Sequence, residues 1–174
     1  VKNLFILFLI LILFAGCYAP FSPERGRLEI EKQIGAKLTD SFEFKLDRTT
    51  MKLVKSAASK IADEDVTFFG IERIDLAVYE LPAGKRVDFR KIERRGWDTL
   101  LDKKSKTVDL MILVRRGGKN LSDMVVMAQG NQKVLYGRLK GKISSNIKDA
   151  LEKTAEEKGI EGLQKKLVLP FKKD

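Results

Sequence analysis

One cysteine and no histidine leave this chain a narrow chemical repertoire. The usual general base, the Ser-His and Cys-His nucleophile pairs and the common zinc ligand sets are all excluded. Catalysis would have to come from carboxylate, lysine, serine, tyrosine or arginine. Ser145-Asn-Ile-Lys148 has the S-x-x-K spacing, in which a lysine amine one helical turn away can activate a serine hydroxyl. Its companions are missing: Ser122-Asp123 is followed by Met124 rather than asparagine, and no Lys-Thr-Gly occurs. Ser145 reads better as a helix cap. Arg115-Arg-Gly-Gly-Lys119 lacks the first glycine of a phosphate loop and joins two expected strands, so it reads as a charged hairpin turn. Asp63-Glu64-Asp65 lacks the alternating oxygen ligands of a calcium loop and reads as a solvated helix end. Asp98 and Asp102 stand one helical turn apart without a recognisable pocket. The expectation is a non-enzyme with no cofactor and no metal site.

Cys17 is the residue with a chemistry of its own. Leu4 to Gly16 is apolar without a break, and Lys2 is the only charge before it. A run of about a dozen residues is short of the ~20 that a spanning helix needs and fits a signal-peptide core. It closes on Phe14-Ala15-Gly16-Cys17, which resembles the lipobox of bacterial lipoproteins. That resemblance implies cleavage before Cys17 and acylation of its thiol and of its new amino group. Several acyl chains suffice for stable anchoring. Tyr18 occupies the place of a retention aspartate found in some inner-membrane lipoproteins, which leans the expectation toward the outer membrane, facing periplasm or cell surface.

Loss of residues 1–16 removes Lys2 as the only charge, which takes the formal +10 to +9. With Cys17 lipidated no intramolecular disulfide is possible, so stability must come from packing. A basic exported domain can meet anionic lipid, lipopolysaccharide phosphate or acidic polymer. Its location argues against nucleic acid.

The elements that must position these residues follow from periodicity. Residues 17–27, with Pro20, Pro23 and Gly26, read as the lipidated cysteine and a tether, and 28–174 as one α+β domain. Leu28 to Lys37 fits a short helix loosely and a strand in part. Residues 41–46 alternate as a strand, and Asp47 is placed to cap a helix over 48–62 with Met51, Val54, Ala58 and Ile61 on one face. A strand is expected over 71–80 and a second helix over Arg86 to Arg95. Strands at about 107–115, 121–128 and 133–140 are separated by Gly117-Gly118 and Gly130-Asn131. A last helix runs from Ser144 or Ser145 to about Lys158, with a further short segment at Leu167 to Leu169. This gives a two-layer α+β domain, an antiparallel meander with helices packed on one face.

On the expected second helix, Arg86, Arg90, Lys91, Arg94 and Arg95 share one half, with Phe89 and Ile92 opposite. A solvated basic face is one reading. The other is docking of acidic partners or phosphate head groups, for which the arginine fork is suited, with Lys165, Lys166, Lys172 and Lys173 extending the patch. Trp97 reads as a core anchor with Leu100 and Leu101.

The lipobox, IERIDLAVYELP, Gly96-Trp97-Asp-Thr-Leu-Leu101 and LSDMVVMAQGNQKVLYGRLKGKI together resemble the domain of unknown function 4252 family, over most of residues 40–155. That resemblance implies an envelope lipoprotein and brings no catalytic residue. The expected function is a membrane-anchored, non-catalytic protein-binding or structural role. The alternatives are binding of anionic lipid, lipopolysaccharide or acidic polymer through the basic helix and, more remotely, a small envelope hydrolase.

Overall fold

Runs of apolar and β-branched residues, separated by glycine turns, organise the described residues around one antiparallel sheet whose central strands are buried on both faces. The computed structural model describes residues 21–58, 70–118, 120–144 and 146–168, with side chains in the 48–58 helix as far as Leu53. The strands are β1 (Thr39–Leu46), β2 (Ile71–Glu80), β3 (Asp98–Lys103), β4 (Asp109–Gly117), β5 (Asn120–Gly130) and β6 (Lys133–Ile143). Five of them lie within three residues of the spans that alternation predicts. Helix α1 is Pro23–Ile34, α2 Arg48–Ala58 and α3 Ile147–Val168.

The spatial order is β1-β2-β6-β5-β4-β3, with every neighbouring pair antiparallel. Strands β4 to β6 form the expected meander, β3 extends it by a strand that the sequence reading does not place, and β6 closes against β2. The β5–β6 hairpin turns on Asn131 and Gln132, both at positive φ (49° and 58°), which suits the right-handed twist of the flanking strands. Strand β2 and its successor β3 therefore lie far apart in the sheet, and residues 81–97 must cross one face to join them. This crossover is the feature on which the candidate site depends.

The α+β class with its meander stands, and the layering goes beyond helices on one face. One face packs Leu76, Val78, Ile112, Val126 and Leu135 against Met51 of α2 and Ile147, Leu151, Leu163 and Leu167 of α3. The other packs Ala77, Met111, Leu113, Val125, Met127 and Tyr136 against Ile30 and Ile34 of α1 and against Val87, Phe89, Ile92 and Trp97 of the crossover. Helix α1 lies very close to the sheet: a Cβ on Gly26 would fall 2.3 Å from the Tyr136 ring.

Two boundaries differ from expectation. The segment read as a tether to Arg27 already belongs to the fold, because Ser22 caps α1, accepting from the Arg25 N–H at 3.3 Å, and Pro23 opens the helix. Gly35, at φ 67°, ends it. The last helix breaks at Gly159 (φ 62°, ψ −154°), next to its expected end at Lys158, and a second helical stretch through Val168 takes the place of the short segment expected at Leu167 to Leu169. Asp47 does cap α2, accepting from the Thr50 N–H at 2.8 Å. Residues 59–62 of that expected helix, and Asp63-Glu64-Asp65, lie outside the described residues.

Candidate functional site

The basic residues expected on one helix lie on an extended crossover. Residues 86–95 contain a single 3-10 turn, Phe89–Lys91, capped by Asp88. The physical reason lies in which side chains are buried. Val87, Phe89 and Ile92 all enter the core, and spacings of two and three cannot fall on one α-helical stripe. Two glutamines hold this backbone as a neighbouring strand would. Gln129 donates Nε2 to the Val87 carbonyl (2.6 Å) and accepts from the Val87 N–H (2.7 Å). Gln33 of α1 treats Asp88 the same way, at 2.9 and 2.6 Å.

The arginines are consequently divided. Arg86 pairs with the buried Asp109 at 2.9 Å, and Arg90 with Asp102 at 2.8 Å. Arg94 donates to Thr99 Oγ1 at 3.1 Å, and the exposed Lys91 lies next to Arg90 on the turn. Arg95 is 80% exposed, with Glu93 at 3.9 Å. Asp98 and Asp102 sit on β3, so the helical-turn relation between them does not exist. A shallow cleft of ≈ 220 Å³, open solvent included, is lined by Arg90, Asp102, Lys103, Lys104, Asp109 and Gln129. It is below the ~300 Å³ of ordinary ligand pockets, and its Asp102 and Asp109 are already engaged by arginines. Lys165 and Lys166 belong to α3 on the opposite face and do not extend this surface. Lys172 and Lys173 lie outside the described residues.

Toward the Gly117 end of the same face, the sheet carries a polar row that periodicity alone did not single out. Arg73 pairs with the buried Asp75 at 2.7 and 3.0 Å. In register beside Asp75 stands Arg138, whose Nε donates to Asp123 Oδ1 at 2.9 Å and whose Nη2 donates to Oδ2. The two side chains of this fork are 5% and 9% exposed. Arg138 also donates Nη1 to the Phe21 carbonyl. Trp97 lies against this fork, with the Arg138 guanidinium 5.7 Å and that of Arg115 4.8 Å from its ring, and Phe21 meets its edge at 5.2 Å. Arg115 in turn donates to the Gly96 carbonyl at 3.3 Å. Trp97 is a core anchor as expected, but Leu100 and Leu101 pack toward the other core cluster. Asp123, the apparent partner of Ser122 in a catalytic motif, is the acceptor of this buried fork.

Cys17, Ser145 and Lys119 lie outside the described residues. Lys148, the proposed partner of Ser145, is paired with Asp149 at 3.2 Å and Glu152 at 3.5 Å. Among the described residues no group of three or more His, Cys, Asp or Glu stands together to hold a metal, and no helix is long and apolar enough to cross a membrane.

One carboxylate is in tension with its surroundings. Glu29 of α1 has a buried Oε2 without a hydrogen-bond partner, and desolvation raises its pKa above the ordinary carboxyl value, against a hydrogen bond from the Glu93 backbone that lowers it. A raised folded-state pKa favours the protonated acid. The ionised form therefore weakens the fold as pH rises above ~4.3, the unfolded value. Glu29→Gln is expected to raise the urea midpoint at pH 7 and to leave it unchanged near pH 3. A lower midpoint at pH 7 would show that the carboxylate charge is needed.

No family model, no curated protein and no solved structure matches the chain.

Proposed function

We propose that the protein is a lipid-anchored envelope protein whose domain acts without catalysis, by binding another protein or by a structural role. The observation that carries this is the short path from Cys17 to the fold. Only Tyr18, Ala19 and Pro20 separate that cysteine from Phe21, which is already packed on Trp97 and held by Arg138. An acylated Cys17 would hold the domain at the membrane surface rather than on a long leash. Three carboxylates on the strands beneath the crossover support the non-catalytic part of the reading: Asp102, Asp109 and Asp123 each accept from an arginine. Their chemistry is used to hold the crossover and strands together.

The test is cross-linking of the full lipidated chain in intact envelopes, followed by detergent extraction and capture at low and high salt. A defined protein retained at high salt in fixed proportion is the expected result. Retention of lipid or lipopolysaccharide alone, lost at high salt, would replace this reading with anionic binding, because exposed charges are screened beyond about 8 Å at physiological salt.

A further inference from the structure

We propose that the Gly117 end of the sheet is a membrane-facing surface that rests on anionic lipid head groups, an inference that depends on the anchoring read at Cys17. The first argument is reach. Four residue steps from Cys17 to Phe21 span at most about 14 Å of extended chain. Phe21 is fixed to the fold by the Arg138 fork and the Trp97 edge, so the anchor point lies within that distance of Phe21, on the side of the sheet that Trp97 and Arg115 share. The second argument is charge. Arg95 and Arg116 are exposed and Arg115 is half-exposed, stacked on Trp97. The ladder row Arg116–Leu121–Ile143 brings the exposed Lys142 to the same end. The exposed carboxylates at this end are Glu93, Asp98 and Glu72, the last already paired with Arg48 at 3.4 Å, which leaves the surface net positive. The third argument is that, among the described residues, Arg95, Arg116 and Lys142 form no close ion pair, while Arg115 is held to the Gly96 carbonyl and stacked on Trp97. Arg95 has Glu93 only at 3.9 Å, whereas the crossover arginines nearer the Asp109 end are closely paired with Asp109 and Asp102. An anionic bilayer within a Debye length of this surface would attract it.

Trp97, the sole tryptophan, is a reporter built into this end. The full lipidated chain is placed in vesicles of phosphatidylcholine, alone or mixed with phosphatidylglycerol, containing a lipid with a spin-labelled head group. Flotation reports anchoring, and loss of Trp97 emission reports the orientation. The expected result is flotation with both vesicles and loss of emission in the mixed vesicles. The emission should return at high salt and in the Arg95→Glu/Arg116→Glu variant. The salt arm needs no variant, so a folding defect cannot imitate it. A chain that floats with mixed vesicles while Trp97 stays bright would overturn the surface and leave the anchor standing. Equal quenching in both vesicles, indifferent to salt and to charge reversal, would overturn recognition of anionic lipid. A chain that does not float would remove the anchor and the proposal with it.

Discussion

Replacing Arg138 with methionine is expected to lower stability by about 3–5 kcal/mol, the range for breaking one side of a buried ion pair. Asp123, 9% exposed beside Arg138, would be left with both oxygens stripped of their fork. With a urea m-value of about 2 kcal/mol/M, the midpoint falls by roughly 2 M. The pair itself is not expected to be worth that much, since an apolar pair of similar size is often as stable. The double variant Arg138→Met/Asp123→Leu should therefore recover most of the loss. It should not recover the position of Phe21, whose carbonyl would still lack its donor, and Trp97 emission would report that difference. A single Arg138→Met variant within about 1 kcal/mol of the parent would mean that the fork is hydrated, since exposed pairs are worth no more than that.

Gln129→Leu is the second large effect. Its amide satisfies both polar groups of Val87 and also donates to Asp109 Oδ2 at 3.0 Å. Leucine would leave the Val87 N–H and carbonyl buried and unmade, at about 1–3 kcal/mol each. A loss of roughly 2–6 kcal/mol follows, together with faster hydrogen exchange at Val87. Arg86→Ala, which removes a 71% exposed partner from the same Asp109, should cost no more than about 1 kcal/mol. If the two variants were equally destabilising, the ion pair rather than the glutamine would be holding the crossover.

The contrast between Gln129 and Arg86 shows why the strands were legible in the sequence and the crossover was not. Strands β2, β4, β5 and β6 carry an apolar residue at nearly every buried position, and a period of two follows directly from the pleat. Residues 86–95 are extended because Gln33 and Gln129 hold their backbone from 55 and 42 residues away, a cause no local window contains. Their basic residues recur at Arg86, Arg90 and Arg94 and so imitate a helical face. Helix α1 stays ambiguous between helix and strand in the sequence for a different reason: Leu28, which suggests alternation with Ile30, is 63% exposed. The buried positions are Pro23, Gly26, Ile30 and Ile34, and the legible signals were its punctuation, Ser22-Pro23-Glu24 at the start and Gly35 at the end.

The polar row was also readable in part. Asp75, Asp123 and Arg138 occupy the same parity as apolar residues that face α1 and the crossover: Ala77 and Tyr79 on β2, Val125 and Met127 on β5, Val134 and Tyr136 on β6. A charge at an inward position of a half-buried strand signals a partner on a neighbouring strand. Which acid meets which base depends on register, and the β2–β6 and β5–β6 ladders each contain an irregularity near this end. Lys103 shows the same dependence on tertiary structure. Its pKa is pushed up to about 12 by hydrogen bonds to Glu152 and Glu156, which join the edge strand β3 to α3 although they lie some fifty residues apart in sequence.

Cys17 decides whether the domain is held at a membrane, so the most direct measurement is the fate of that residue. The protein and its Cys17→Ser variant would be produced in a bacterial host supplied with labelled palmitate, then separated into membrane and soluble fractions, with the mass of the N-terminal peptide determined. The predicted result is label in the parent only, a mature chain that starts at acylated Cys17, and a variant that carries no lipid. A parent that keeps residues 1–16, takes up no label and pellets with the membrane as firmly as its Cys17→Ser variant would contradict the anchor. It would also contradict the orientation built on it.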